Sequence, residues 1–170
     1  MNKEPLLNAN PVVYEKNERL LKEWINFFDE IKDKKDNFEI DEIIDKQEIY
    51  DLLVGITDPE HPLTLEQLAV INLEDIYLQN DETNKITYVS VEITPTIPHC
   101  SMATLIGLCI RVRLERCLPP RFRINVKIKK DTHQNEKQVN KQLKDKERVA
   151  AALENQQLAN VIYGMMASCA

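Results

Sequence analysis

Two segments with alternating apolar and polar side chains, one on either side of a long apolar segment, restrict the folds that this chain can adopt. KITYVSVEI (residues 85–93) and FRINVKIKK (residues 122–130) carry apolar side chains at every other position, which is typical of half-buried strands. Between them, SMATLIGLCIRVRLERC (residues 101–117) carries apolar side chains at helical spacing. A strand, a helix and a strand in succession form a crossover that places the two strands side by side and parallel.

The flanking segments extend this unit into a small mixed domain. LEDIYLQN (residues 73–80) is separated from the first alternating segment only by the polar DETN, which predicts a β-hairpin. QEIYDLLVGI (residues 47–56) has helical spacing, and VNKQLKDKERVAAALEN (residues 139–155) predicts one long final helix because it is rich in strong helix formers. We therefore expect a small single α/β domain, α+β-like, with about a three-stranded mixed sheet and helices packed on it.

The charge distribution separates an acidic extension from a nearly neutral domain. Residues 1–45 hold 7 Lys and Arg against 12 Asp and Glu, and so carry most of the net charge of −6. We expect this extension to be partly disordered, with an amphipathic helix at 18–32. That helix would pack either on its own domain or on a partner. The folded domain is predicted at 46–165 and a C-terminal tail at 166–170.

The composition argues against several classes of protein. The three glycines do not form a GxGxxG or GxxxxGK[ST] phosphate loop, and there is no serine nucleophile elbow. No apolar run approaches the ~20 residues of a membrane span, so no membrane partner is expected. The opening MNKEPLLNAN lacks the basic and apolar pattern of a secretory signal. The four cysteines are therefore expected to stay reduced in the cytosol or nucleus.

PTIPHCSMATLIGL places Cys100 between a proline turn and the start of a predicted helix. Ser101 is a good N-cap residue, and the free N–H groups and helix dipole at such a position stabilise a thiolate. Sites of this kind lower the pKa of a cysteine from ~8.5 toward 7 or below. A protonated His99 would add to the effect. Cys100 is either a functional thiol or a small buried side chain.

The other three thiols fit less reactive settings. Cys109 and Cys117 lie within the predicted helix and are expected to pack in the core, whereas Cys169 is expected to be a flexible terminal thiol. There is no CxxC motif and no Cys/His cluster of zinc-finger spacing. Cys100 is therefore the predicted reactive thiol.

The loop DPEHP offers three side chains that bind metals or move protons, namely Asp58, Glu60 and His61. The alternative is an ordinary turn, because Asp and Pro favour turns in any case. Loops at the same end of a parallel sheet converge. We therefore expect these three side chains, together with His99, to support Cys100.

A basic stretch runs from Arg111 to Lys130, with eight Lys and Arg and one acid, Glu115. It is a protein-docking face, an ordinary solvated face or a nucleic-acid-binding face. The aromatic interleaving expected for nucleic acid is missing apart from Phe122, so protein docking is favoured and direct nucleic-acid binding is not expected. The candidate docking residues are Arg111, Arg113, Arg121, Arg123 and Lys127.

Several motifs are long and specific enough to indicate a family. They are TDPEHPLTLEQL, TPTIPHCSMATLIGL, LPPRF and VNKQLKDKERVAAALEN. Together they resemble the eukaryotic cytosolic iron–sulfur assembly component 2 family, which is related to the bacterial SufT and PaaD proteins. LLNANPVVY resembles the start of the B-type paralogue. The resemblance covers residues 5–14 and about 47–165, whereas residues 15–45 match nothing expected of the family.

The resemblance implies an adaptor rather than an enzyme. Family members form a targeting complex with a WD-repeat β-propeller and a HEAT-repeat adaptor. The complex delivers [4Fe–4S] clusters to cytosolic and nuclear client apoproteins, many of them DNA-metabolism enzymes. The family's reactive cysteine falls on Cys100, and its acidic loop falls on Asp58, Pro59 and Glu60. A cytoplasmic and nuclear location, no tightly bound cofactor and a possible homodimer are the corresponding expectations.

The chemistry of iron–sulfur ligation agrees with this role. Thiolates are the usual ligands of such clusters, and four are the norm for [4Fe–4S]. A lone thiolate at Cys100 therefore suits transient ligation of a [4Fe–4S] cluster during transfer. Two other classes stay open. A cysteine-nucleophile enzyme would need a base such as His61 or His99, and a structural scaffold would need no reactive thiol.

We predict that residues 1–45 are dispensable for folding. Deleting them should leave the thermal midpoint within a few degrees, because the apolar stripe at 18–32 lies in acidic, charge-rich sequence. Thermal unfolding followed by circular dichroism measures this. A collapse in stability would show instead that Trp24 and Phe28 belong to the core.

Overall fold

The structure is a computed structural model that describes residues 10–14, 44–98 and 102–169. The predicted helix at 18–32 lies outside the described residues. So do three residues of the predicted reactive site, namely His99, Cys100 and Ser101.

A three-stranded mixed sheet sets the positions of the other elements. Its strands are β1 (Ile76–Asp81), β2 (Ile86–Ile93) and β3 (Phe122–Ile128), in the spatial order β1–β2–β3. β1 and β2 pair antiparallel across the predicted hairpin. β2 and β3 pair parallel, as the predicted crossover requires. The expected small single domain with a three-stranded mixed sheet and helices is therefore confirmed.

The crossover helix α2 (Met102–Cys117) lies at the centre of the core. It contacts β3 and three other helices, α1 (Lys46–Val54), α3 (Glu136–Lys144) and α5 (Gln156–Met166). Because it is covered from several directions, α2 is buried over more of its surface than the single stripe that its sequence predicts. Its buried residues are Ala103, Ile106, Gly107, Leu108, Cys109, Ile110, Arg111, Val112 and Leu114.

The prediction of one long final helix is wrong. The chain forms α3, α4 (Lys146–Glu154) and α5, with breaks at Asp145 and Asn155. Both residues have extended backbone angles and cap the helix that follows. Asp145 Oδ1 accepts from the backbone N–H groups of Glu147 and Arg148, and Asn155 accepts from the corresponding groups of its own helix. Short Asp and Asn side chains compete with helix continuation in this way.

The end of the chain packs on the domain and is not a flexible tail. Residues Ala167–Cys169 form a single 3₁₀ turn. Ser168 Oγ donates to the carbonyl oxygen of Gly55 over 2.6 Å, and Arg113 Nη2 donates to that of Cys169 over 2.7 Å. These bonds join the end of the chain to the beginning of the domain.

The domain begins with a capped helix. Asp45 Oδ1 accepts from the backbone N–H of Glu48 over 2.9 Å, and Glu48 Oε2 accepts from that of Asp45 over 3.0 Å. This reciprocal capping box fixes the first turn of α1. A deletion that ends at residue 43 therefore tests the acidic extension without removing the cap. None of the helices in the described ranges is long and apolar enough to cross a membrane.

We predict that Gly107→Ala destabilises the domain. A Cβ at this position would lie 2.6 Å from Leu143 Cδ1 and 2.8 Å from Leu143 Cδ2, so the fully buried Leu143 side chain would have to shift within the core. Overpacking of this kind costs ~1–3 kcal/mol and should outweigh the gain of ~1 kcal/mol in helix propensity. Urea unfolding measures the difference.

Gly164→Ala is the matched control, because a Cβ there meets nothing within 4 Å. It should stabilise α5 slightly. Equal effects of the two substitutions would contradict the close contact between α2 and α3.

Candidate functional site

The carboxyl ends of β2 and β3 lie side by side and present the loops that follow them. Lys129 N–H donates to the carbonyl oxygen of Ile93 over 2.9 Å, which links the two strand ends. Beyond them, Gln134 N–H donates to the carbonyl oxygen of Pro98 over 2.8 Å. The loop that leads toward Cys100 is therefore held against the loop that follows β3. This is the edge at which parallel α/β sheets present their functional loops.

An open cavity of about 580 Å³ lies at this junction, between Pro98 and the segment 131–138. His133 lines it, is 8% exposed, and accepts from the backbone N–H of Asn135 through Nδ1 over 3.1 Å. The sequence analysis did not single out His133. A histidine shortly after a buried strand of a parallel pair is the signal that could have found it. His99 and Cys100 themselves lie outside the described residues, so their roles stay predictions.

The three polar side chains of the DPEHP loop come together. One potential ligand atom from each of Asp58, Glu60 and His61 lies within 4.8 Å of the other two. Asp58 Oδ1 accepts from the backbone N–H groups of Glu60, over 2.8 Å, and of His61, over 3.0 Å. The residues thus form both a turn and a cluster. Whether this cluster meets Cys100 stays a prediction.

The imidazole of His61 is the most unusual member of this cluster. His61 is 9% exposed, and its buried Nε2 has no hydrogen-bond partner among the described residues. Two carboxylates and an imidazole form a donor set that suits Fe²⁺, Mn²⁺ or Zn²⁺. These three residues are therefore the side chains of the DPEHP loop that could hold a divalent metal ion.

A second turn holds the DPEHP loop in place. Thr64 N–H donates to Gln67 Oε1 over 3.0 Å, and Gln67 N–H donates to Thr64 Oγ1 over 3.3 Å, which together form a capping box. Thr57 N–H donates to the carbonyl oxygen of Met165 over 2.9 Å. The loop is thereby attached to the end of α5.

Two of the predicted docking cations have structural roles instead. Arg111 is 5% exposed, and its Nη1 donates to the carbonyl oxygen of Leu143 over 2.6 Å. Arg113 donates to the carbonyl oxygens of Leu52 and Cys169. Their guanidinium groups hold helices and the end of the chain together. The prediction of a docking role for Arg111 and Arg113 is therefore corrected.

The other three cations lie at the surface. Arg121 and Arg123 are exposed, and Lys127 pairs with Glu92 over 2.8 Å. The Arg121 guanidinium lies 5.5 Å from the centroid of the Phe122 ring. Arg121, Arg123 and Lys127 therefore stay candidates for docking.

The described thiols differ in exposure. Cys109 is fully buried, as expected, and burial raises the pKa of its thiol to about 12. Cys117 is exposed, so the expectation of core packing is wrong, because Leu114 and Leu118 and not Cys117 fill the buried side at the end of α2. Cys169 is half-buried, and burial raises the pKa of its thiol above the usual value.

The amino-acid sequence matches a known class of protein. The family model described as iron-sulfur cluster assembly protein matches residues 46–128. A MIP18 family protein of Schizosaccharomyces pombe is 60% identical over 168 residues, which cover 96% of this chain and 92% of that protein. The chain therefore belongs to the MIP18 family of iron–sulfur cluster assembly proteins.

Further relatives carry more specific names. Cytosolic iron-sulfur assembly component 2B of Mus musculus is 49% identical over 92% of this chain and 88% of its own length. Cytosolic iron-sulfur assembly component 2B of Dictyostelium discoideum is 47% identical over 86% of this chain and 88% of its own length. These relatives confirm the family resemblance that the motifs indicated.

We predict that alkylation at neutral pH labels Cys100 first, Cys117 next and Cys109 last. The order follows from the expected helix N-terminus at Cys100, the exposure of Cys117 and the burial of Cys109. Competitive labelling read by peptide mass spectrometry measures it. If Cys117 reacts as fast as Cys100, the thiol of Cys100 is not activated.

Proposed function

We propose that this protein is a non-catalytic adaptor in cytosolic iron–sulfur protein assembly that helps to deliver [4Fe–4S] clusters to apoproteins. The observation that carries the proposal is the sequence similarity, over nearly the full length, to relatives named as cytosolic iron–sulfur assembly components. The similarity extends over the whole described domain, so the domain as a unit supports this role.

In this proposal the cluster is cargo and not a resident cofactor. Cys100 offers one thiolate, which is too few to retain a [4Fe–4S] cluster but enough to ligate it briefly while a client supplies the remaining ligands. A second set of donors is the cluster of oxygen and nitrogen atoms formed by the side chains of Asp58, Glu60 and His61. These donors suit a short-lived contact with iron, because they bind iron less strongly than thiolates do in such clusters.

The proposed partners follow from the family. They are a WD-repeat β-propeller subunit, a HEAT-repeat adaptor and client iron–sulfur apoproteins, with a second copy of this chain as a further possibility. The proposed location is the cytoplasm and the nucleus, where such clients function. We propose no direct contact with nucleic acid or with a membrane.

The test is depletion of the protein in cells followed by rescue. Wild type should restore iron incorporation into client proteins, measured as radioactive iron bound to the immunoprecipitated clients. Cys100→Ala should fold like wild type, because loss of one sulfur atom near a loop leaves a small cavity, yet it should restore less iron. Cys117→Ala is the matched control, since it removes an exposed thiol at the far, C-terminal end of α2, and it should rescue fully.

The outcomes separate three cases. Full rescue by Cys100→Ala would refute the transfer thiol and favour a purely structural scaffold. Client iron that is unchanged after depletion would refute the whole assignment. Turnover of a small substrate by the purified protein, lost in Cys100→Ala, would favour a cysteine-dependent enzyme.

A further inference from the structure

One face of the sheet points away from the helices and toward solvent. In β2, Val89 and Val91 are fully buried, whereas the alternating Tyr88 is 46% exposed. Tyr77 of β1 lies on the same side as Tyr88 and is equally exposed. We define the outer face by six residues, which are Tyr77, Tyr88, Glu92, Arg123, Asn125 and Lys127.

The strand register brings the tyrosines and one arginine together. Tyr88 lies directly opposite Arg123 in the parallel pair. Tyr77 lies opposite Ser90, two residues along β2 from Tyr88, so the two tyrosines are diagonal neighbours. The register therefore places two exposed tyrosines and one exposed arginine at neighbouring positions on the same face of the sheet. Tyr and Arg are also the residues that contribute most often to binding energy at protein interfaces.

The charge of this patch is opposite to that of the protein as a whole. Arg123 and Lys127 lie on the outer face, and Lys46 places its Nζ 5.6 Å from the centroid of the Tyr77 ring. Against these three cations stands one carboxylate, Glu92, which pairs with Lys127 over 2.8 Å. The chain as a whole has a net charge of −6. A local excess of positive charge around two exposed aromatic rings therefore favours an acidic occupant.

Charged groups at the two ends of the outer face are engaged with other residues and do not neutralise its positive charge. At one end, Asp81 accepts hydrogen bonds from the backbone of Thr83 and Asn84, so its carboxylate is engaged within the hairpin turn. At the other end, Lys129 pairs with Asp75 over 2.6 Å. Within the described residues, no carboxylate lies within salt-bridge distance of Arg123 or Lys46.

We infer that the outer face docks an acidic protein surface. The inference rests on the proposed function and names the surface by which the adaptor holds a subunit of its complex. The tyrosine rings supply the apolar area, and the guanidinium of Arg123 pairs with partner carboxylates. Arg123 Nη1 donates to the carbonyl oxygen of Pro120 over 3.2 Å, which restrains the guanidinium at the start of β3.

The salt bridge of Lys127 distinguishes it from Arg123, the other cation of the outer face. Lys127 is already neutralised by Glu92, whereas Arg123 has no carboxylate within salt-bridge distance in the described structure. Reversal of charge at Arg123 should therefore weaken docking more than reversal at Lys127. A simple count of basic residues would predict equal effects.

The test measures binding of the full-length chain to the purified β-propeller and HEAT-repeat subunits by biolayer interferometry. The double variant Tyr77→Thr and Tyr88→Thr keeps strand propensity and should weaken capture of one of the two subunits by about 10-fold or more. Arg123→Glu should weaken it more than Lys127→Glu. The affinity of wild type should fall with added salt, and less steeply in Arg123→Glu.

Two control variants make the same kinds of change, a Tyr→Thr substitution and a reversal of positive charge, but at positions on helices. Tyr163→Thr removes a tyrosine of α5 that is 42% exposed and stacked with Arg116 at 4.7 Å. Lys141→Glu reverses an exposed cation of α3. Both should bind like wild type, and all variants should keep the thermal midpoint of wild type within a few degrees.

The results distinguish the inference from the proposed function. If wild type binds a subunit and the outer-face variants bind it equally well, the inference is wrong and the proposed function stands. If wild type binds neither subunit, the proposed partners are wrong and the inference falls with them. Capture of a single-stranded oligonucleotide through Tyr77 and Tyr88, or outer-face variants that change only self-association, would replace the acidic protein by another occupant.

Discussion

The burial of α2 between the sheet and the other helices is the constraint on which the rest of the structure depends. Gly107 allows Leu143 to pack against the backbone of α2, and Arg111 donates to the carbonyl oxygen of Leu143 over 2.6 Å. Both contacts set the distance between α2 and α3. From α3, Asn140 Oδ1 accepts from the backbone N–H of Ile128 over 2.7 Å. The position of α2 therefore determines where β3 ends and where its following loop begins.

The same arrangement connects the core to the candidate site. The loop after β3 bonds to Pro98 through Gln134, and α2 begins at Met102. The segment around Cys100 thus has both of its flanks attached to the packed core. The proposed adaptor role would benefit from such fixed flanks, because flanking segments that are already held in place lose less conformational entropy when a partner approaches.

The arginines of the basic stretch show why a charge count does not identify a docking face. Arg111 and Arg113 are bound to backbone carbonyl oxygens of distant segments, while Arg123 lies on the outer face of the sheet. A buried guanidinium is stable where it satisfies carbonyl groups that have no other donor. The same residue type therefore stabilises the interior at one position and faces solvent at another.

Local sequence patterns identified most of the helices and strands and their order along the chain. Alternation in residues 85–93 and 122–130 identified two strands, and the intervening helix required them to be parallel, because these periodicities are properties of neighbouring residues. These patterns did not reveal the breaks at Asp145 and Asn155, because a residue that caps a helix also occurs within one. Long-range packing, in contrast, fixes which arginines are buried, that Cys117 is exposed, and that the DPEHP loop meets the end of α5. Those outcomes depend on contacts between segments that are far apart in the chain, and no local pattern encodes such contacts.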